Sequence, residues 1–272
     1  LFSNIIKFEE HKKIKMEILI ISFAAFLTSI LTFFSGFGLG TILTPVFALF
    51  FPIEIAIALT GVVHFINNIF KIGLIGKNAN KSVLIRFGIP AILASFFGAW
   101  VLLQITELPP FFNYSIFNSA FEVTPVKLII AILLFIFAIL EILPSVQKLE
   151  FGTNKMILGG ILSGFFGGLS GIQGAIRSAF LIKSGLSKEA YIATGVVIAS
   201  FVDITRLTVY ASRFNEANLQ ENIPLLISAT VSAIIGAILG KRLLTKVTLK
   251  SLQFFVAIML IVIAIGLGFG FI

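Results

Sequence analysis

No charged residue occurs between Glu17 and Glu54, and nearly charge-free stretches of this kind recur to the end of the chain. An apolar run of about 18 residues or more is the signature of a helix that crosses a bilayer. In hydrocarbon the backbone must satisfy its own hydrogen bonds, which leaves helices or closed barrels as the spanning structures. A barrel would show roughly ten-residue segments of alternating polarity, and the sequence has none. Composition agrees: 58% of the 272 residues are hydrophobic and 12% charged, about half the charge density of a soluble domain, with mean hydropathy +1.10. The expected fold class is an all-α polytopic membrane protein.

The same composition excludes several functions. Without cysteine there is no disulfide framework, thiolate metal site or cysteine nucleophile. The net charge of +8 sits mostly in short connections, as expected of cytoplasmic loops rather than of a nucleic-acid surface. Residues 1–16, with the basic stretch Lys7–Lys15, read as an N-terminal tail. The apolar stretch behind it does not end in a small-residue cleavage site, so no signal peptide is expected. The 31 phenylalanines read as lipid-facing or packing residues.

Ten helical segments are expected, at 17–36, 41–51, 53–75, 84–106, 125–143, 155–168, 175–185, 187–211, 222–245 and 249–271. The second and seventh are too short to span: eleven residues reach about 16 Å, against a hydrocarbon core of about 30 Å. Each follows a glycine cluster, "SGFGLG" and "GFFGGLSGIQG". Non-helical backbone at membrane depth is tolerated only where it faces protein or a water-filled cavity. These two segments are therefore expected to be broken or re-entrant.

The chain also repeats. A shift of 134 residues lays "TGVV" at 60–63 on "TGVV" at 194–197, Gly40 on Gly174, Ala56 on Ala190 and "IP" at 89–90 on "IP" at 223–224. Four matches in one register indicate two five-segment repeats, 17–143 and 155–272, joined by a linker at 144–154. Basic residues gather at 77–86 and 241–250, while the 107–124 loop carries Glu107 and Glu122, and the 211–222 loop carries Glu216 and Glu221 against Arg213. If all ten segments cross, both basic loops lie inside and the repeats are inverted, as in many secondary transporters. The basic tail, which would then lie outside, tells against this count.

The paired motifs carry a resemblance. "GFGLGTILTPVFALFFPIEIAIALTGVV" and "GFFGGLSGIQGAIRSAFLIKSGLSKEAYIATGVV" resemble the two half-motifs of the sulfite exporter TauE/SafE (TSUP) family over most of residues 17–270. The resemblance implies a membrane transporter of sulfite, an organosulfonate or a related sulfur-containing anion. Two positions depart from the pattern: Ala179 stands where the first half has Pro45, and Arg177 is an addition.

The polar residues inside apolar segments are the candidate site. A cation near the bilayer centre costs at least about 2.5–3.5 kcal/mol, so Arg177 needs an acid or an anion. A guanidinium suits a forked oxyanion contact, and the plain alternative is a structural pair with Asp203. Asp203 and Arg206, three apart, share a helix face. Asp203, the only aspartate, is the candidate coupling carboxylate, with His64 as a second coupling candidate. His64, Asn67, Asn68 and Lys71 share one face of their helix; bonding to neighbouring helices is the plain reading of the Asn and His, and snorkelling to the interface that of Lys71. Gly38, Gly40, Thr41, Gly171, Gln173 and Gly174 flank the breaks, where half-helix N-termini offer N–H groups to an anion. The substrate-binding set is therefore Gly38, Gly40, Thr41, Asn67, Asn68, Gly171, Gln173, Gly174, Arg177 and Arg206.

His64 and His11 cannot pair into a metal site, no phosphate-binding GxxxxGK[ST] loop occurs, and no cofactor is expected. The expected protein is not an enzyme but a secondary transporter of a small anion, working by alternating access. Its expected partners are that anion, membrane lipid and a proton or sodium ion, with a homo-oligomer left open; its expected place is a prokaryotic cell (inner) membrane. A passive anion channel is the alternative reading, and an intramembrane enzyme a weaker one.

Overall fold

The computed structural model describes residues 2–35, 39–117, 119–143, 151–181, 184–211, 222–243 and 249–272. Among these, ten helices form the molecule: α1 (Phe2–Ser35), α2 (Leu39–Ala48), α3 (Ile53–Ile75), α4 (Ile89–Thr106), α5 (Pro125–Ile142), α6 (Met156–Ser170), α7 (Gly174–Leu181), α8 (Lys188–Tyr210), α9 (Ile223–Leu243) and α10 (Leu249–Gly268). Five spans are long and apolar enough to cross a membrane: Ile14–Thr32, Ile53–Asn78, Lys81–Thr106, Lys188–Tyr210 and Ile223–Arg242. The chain is an all-α multi-pass membrane protein, with α2 and α7 short as expected.

Three details differ from the sequence reading. The tail is not separate, because α1 begins at Phe2, and the Glu-, Lys- and Met-rich stretch over 9–17 consists largely of good helix formers. The 107–124 loop carries a two-stranded antiparallel ribbon, β1 (Phe112–Ile116) with β2 (Ser119–Val123). Its aromatic and β-branched residues suit a pleated ribbon, and the Tyr114 hydroxyl donates to the Phe269 carbonyl beyond α10. Ahead of α4, Asn80 caps a single turn, its side chain accepting the Val83 N–H at 3.1 Å, and a π-helical turn over Leu84–Gly88 follows. Residues 144–150 of the expected linker, the charged residues of the 212–221 segment and Lys246 lie outside the described residues.

Helix pairing follows an exchange of halves. The first helix of each half packs on the fourth of the other, α1 on α9 and α6 on α4, and these are the two most extensive interfaces. The α4–α6 interface runs parallel in a one-to-one register of glycine against backbone. A Cβ on Gly160, Gly164 or Gly168 would lie 2.3, 2.0 or 2.1 Å from the carbonyl oxygen of Phe87, Ala91 or Ser95. Small residues at every fourth position let transmembrane helices approach to backbone contact. Most glycines of "GGILSGFFGG" thus serve packing. In α1–α9, also parallel, Ser22 bonds Ser228 at 2.8 Å and Ser29 packs on Gly236.

The third helices of the two halves run antiparallel: Gly61 faces Arg206 and Leu207, His64 faces Asp203, and Asn80 beyond α3 bonds Thr194. The start of α5 meets the end of α10, through Ala131 against Gly268. Two helices that correspond in sequence and pack antiparallel are related by an axis perpendicular to both. The directions also require α2 and α7 each to reverse the chain. One end of the bundle accordingly gathers Lys77, Lys81, Arg86, Lys155, Lys188, Lys241 and Arg242 with Glu189, while the other carries Glu54, Glu107, Glu122 and Lys127 with the Lys12–Glu17 stretch of α1.

Gly164→Ala, which drives a Cβ into the Ala91 carbonyl, is expected to cost about 1–3 kcal/mol, read as a lower melting temperature in detergent. Gly73→Ala, with no atom within 4 Å of the new Cβ, is expected to leave that temperature unchanged or raise it. Equal responses would contradict the register.

Candidate functional site

The first turn of α2 meets the break that precedes α7. Gly171 ends α6 in a left-handed conformation, φ 76°, with its N–H on the Gly167 carbonyl, and α7 restarts at Gly174. A side chain on Gly40, in the first turn of α2, would lie 2.6 Å from the Gly171 carbonyl oxygen. Ten and eight residues of helix reach only about 15 and 12 Å, too short to cross a hydrocarbon core of about 30 Å. The N-terminal end of a helix exposes unpaired N–H groups and the positive end of its dipole. Two such ends converge here, beside three polar side chains with no partner for their terminal atoms among the described residues: Thr41, Thr60 and Gln173. Gln173 is 1% exposed, with both amide atoms unpaired. Buried polar groups are paired in the large majority of cases, so an unpaired primary amide at a helix start calls for a ligand or a water.

Three cationic side chains lie around this junction. Arg206, fully buried on α8, packs on Gly61 and Gly171: a Cβ at either position would lie 3.3 or 2.6 Å from its guanidinium. Its Nε and Nη2 meet Asp203 Oδ1 at 3.0 and 2.9 Å. The other oxygen, Oδ2, lies 2.6 Å from His64 Nδ1 and accepts from Asn68 Nδ2 at 3.3 Å. Arg177, on α7, passes Gly195, where a Cβ would lie 3.3 Å from its Nε. Lys71, on α3, reaches Thr32 Oγ1 at 3.4 Å. The glycines of the repeated "TGVV", Gly61 and Gly195, thus each make room for one arginine.

These groups border a small, partly open cavity lined by Lys71, Arg177, His64, Asn68, Thr32 and Tyr191 among others. It runs between the second half of α3 and the first half of α8, toward the basic end of the bundle. Leu39 of α2 and Arg177 of α7 bring both short helices to its wall.

Of the residues named from sequence, His64, Asn68 and Arg177 line this cavity. Gly40, Thr41, Gly171, Gln173 and Gly174 are buried at the junction of the breaks, and Asp203 and Arg206 lie behind the His64 wall. Asn67 is turned away from the cavity lining, accepting from Ser29 of α1 at 3.5 Å. Gly38 lies outside the described residues. One expectation is corrected. Lys71 does not snorkel: it is 5% exposed and faces the cavity, because it continues the inward face of His64, Asn67 and Asn68. Thr32, Tyr191 and Gly195 carry no distinguishing signal in the sequence, apart from the place of Gly195 in the repeated motif.

Comparison with family models decides the affiliation. The model described as sulfite exporter TauE/SafE matches residues 21–267, nearly the whole chain. The chain belongs to the sulfite exporter TauE/SafE family. Comparisons with curated proteins and with solved structures gave no match. A TauE/SafE member with these spans is a multi-pass membrane protein of a transporter family. Among the described residues no group of three or more His, Cys, Asp or Glu is placed to hold a metal ion.

In this TauE/SafE chain, removing one partner of a buried ion pair leaves the other charge uncompensated, at a cost of about 3–5 kcal/mol. Asp203→Asn is expected to lower the melting temperature in detergent accordingly, and an unchanged value would show that Arg206 does not depend on it.

Proposed function

We propose that the chain is a secondary transporter of a small anion, most specifically sulfite, an organosulfonate or another sulfur-containing anion. The observation that carries this reading is charge: Lys71 and Arg177 both face one cavity, while Asp203 is held by His64 and Arg206. Positive charge is costly inside a bilayer, and an anion entering the cavity offsets it. The family supports a sulfur oxyanion, and a guanidinium supplies the forked donors that such an ion accepts.

In this reading the two repeats, 17–143 and 155–272, are inverted and rock about the junction of the broken helices. Support comes from the exchange of helix partners and the antiparallel α3–α8 pair. Positive-inside asymmetry assigns the basic end to the cytoplasm, so the cavity opens inward, in a prokaryotic cell membrane. On the opposite side Arg206, Asp203 and Tyr210, whose hydroxyl bonds the Gly168 carbonyl, close the path. Gln173, Thr41, Gly40, Gly171 and Gly174 then meet the anion as it passes the junction, and Asn67 orders α1. The His64–Asp203 pair suits a proton as the coupling ion, because a proton can move along its short hydrogen bond, whereas Arg206 and His64 already take the positions a sodium ion would need.

Two measurements test this. Thermal stability of the purified protein, against sulfite, thiosulfate, isethionate, taurine, acetate and chloride, is expected to rise with a sulfur oxyanion in the wild type and not in Arg177→Ala. A ligand at 100 times its Kd adds about 2.7 kcal/mol; equal responses in both proteins would remove Arg177 from the site. In proteoliposomes, anion flux is expected to follow an imposed pH gradient, and His64→Gln to abolish that dependence while leaving anion exchange. Flux driven by sodium alone, or ohmic single-channel currents, would contradict coupled proton transport.

A further inference from the structure

The β1–β2 ribbon joins the end of α4 to the start of α5, two apolar helices, and no charged residue lies between Glu107 and Glu122. Pairing of Phe112 with Val123, Tyr114 with Phe121 and Ile116 with Ser119 gathers the large apolar side chains on one face. Asn113 opposite Glu122 and Ser115 opposite Ala120 make up the other, more polar face. The middle of the apolar face leans on the end of α10. Phe121 meets Phe271 edge-on at 5.0 Å, and the Tyr114 hydroxyl donates to the Phe269 carbonyl. Gly270, φ 71°, lets the chain pass close by, since a Cβ on it would lie 2.3 Å from the Glu122 carbonyl oxygen. Phe269 also ends a row of exposed apolar side chains, Ile258, Val262, Ile265 and Phe269, spaced as one face of α10. An exposed apolar face on a helix of a membrane protein meets lipid.

We infer that the apolar face and the tip of this ribbon lie in the bilayer interface, as an amphipathic anchor that beds the α4–α5 connection in lipid. The apolar face continues the lipid-facing row of α10 past the end of that helix. The medium that covers Phe269 therefore also reaches Phe112 and Ile116, both exposed. The tip supplies a second observation. Phe117 is 99% exposed and has φ 48°, the one non-glycine residue with positive φ among the described residues. That region of backbone space favours glycine and asparagine, and a bulky side chain there is an outlier. In water such a phenylalanine is unfavourable in backbone and side chain alike, whereas an interface is the medium that apolar and aromatic faces of surface-lying elements bury into. Exposed apolar patches mark a membrane or a protein contact. The tether of this one to two apolar helices, beside the lipid-facing row of a third, favours lipid.

Because the chain has no cysteine, a single introduced cysteine takes one nitroxide label at a chosen place. Phe117→Cys, Ile116→Cys and Asn113→Cys would be labelled in the whole protein, reconstituted in phosphatidylcholine vesicles and read by power-saturation electron paramagnetic resonance. Oxygen concentrates in the bilayer and a neutral nickel chelate in water, so the ratio of their collision rates with the label reports depth. Labels at 117 and 116 are expected to meet oxygen more than the chelate, and the label at 113, on the polar face, the chelate more than oxygen. The ratio at 117 should exceed that at 113 severalfold. Labels at 117 and 116 that meet the chelate as freely as the label at 113 would place the ribbon in water and overturn the anchor. Labels shielded from both reagents would overturn it as well: dipolar broadening would then assign the face to a second copy of this chain, and its absence to another part of the bundle. Should Phe117→Cys fail to fold, the comparison of Ile116→Cys with Asn113→Cys decides.

Discussion

Everything in this molecule depends on the contact between the first turn of α2 and the left-handed residue that ends α6. A Cβ on Gly40 would run into the Gly171 carbonyl and one on Gly171 into the Arg206 guanidinium, and Gly171 adopts a left-handed backbone conformation that favours glycine. Because Gly40 meets Gly171, the two short helices point their N-termini at one region. Because backbone is open there, polar side chains gather beside it. Arg206 packs directly on Gly171, and Arg177 lies one turn into the helix that follows. The long helices serve largely to hold this junction in place, and the glycine register between α4 and α6 anchors the helix that leads into one break.

The two halves of the sequence exchange corresponding helix partners and differ in chemistry. Gly61 and Gly195 occupy matching places in "TGVV", and each leaves space for an arginine, yet both arginines belong to the second half. Asp203 has Ile69 as its counterpart, 47% exposed on the outer face of α3. The first half contributes His64, Asn68 and Lys71 instead. Such a division yields an asymmetric site, with Lys71 and Arg177 on the cavity wall and the Asp203–Arg206 pair behind His64.

Much of this is legible in the sequence, for identifiable reasons. Charge-free runs mark helices because the bilayer leaves no other local solution, and the glycine clusters mark the breaks because nothing else there interrupts the apolar pattern. The inward face of α3 follows from the spacing of His64, Asn67, Asn68 and Lys71. For Lys71 itself two signals conflict: nearness to a basic loop points to snorkelling, the shared spacing points inward, and the helix face decides. The pairing of His64 with Asp203 joins residues 139 apart, and no spacing rule reaches across halves. The β1–β2 ribbon is hidden by its place in a short acidic loop, where its aromatic residues give too few alternations to stand out from a turn.

Locating the anion would test the central claim most directly. Selenate carries a strong anomalous scatterer in the geometry of sulfate, and crystals of the protein soaked in it would show where an oxyanion rests. The account predicts an anomalous peak in the cavity, within hydrogen-bonding reach of both Arg177 and Lys71 and beside the start of α7. A peak confined to the surface, or to a site away from the meeting point of α2 and α7, in a protein that still binds the anion in solution, would contradict it.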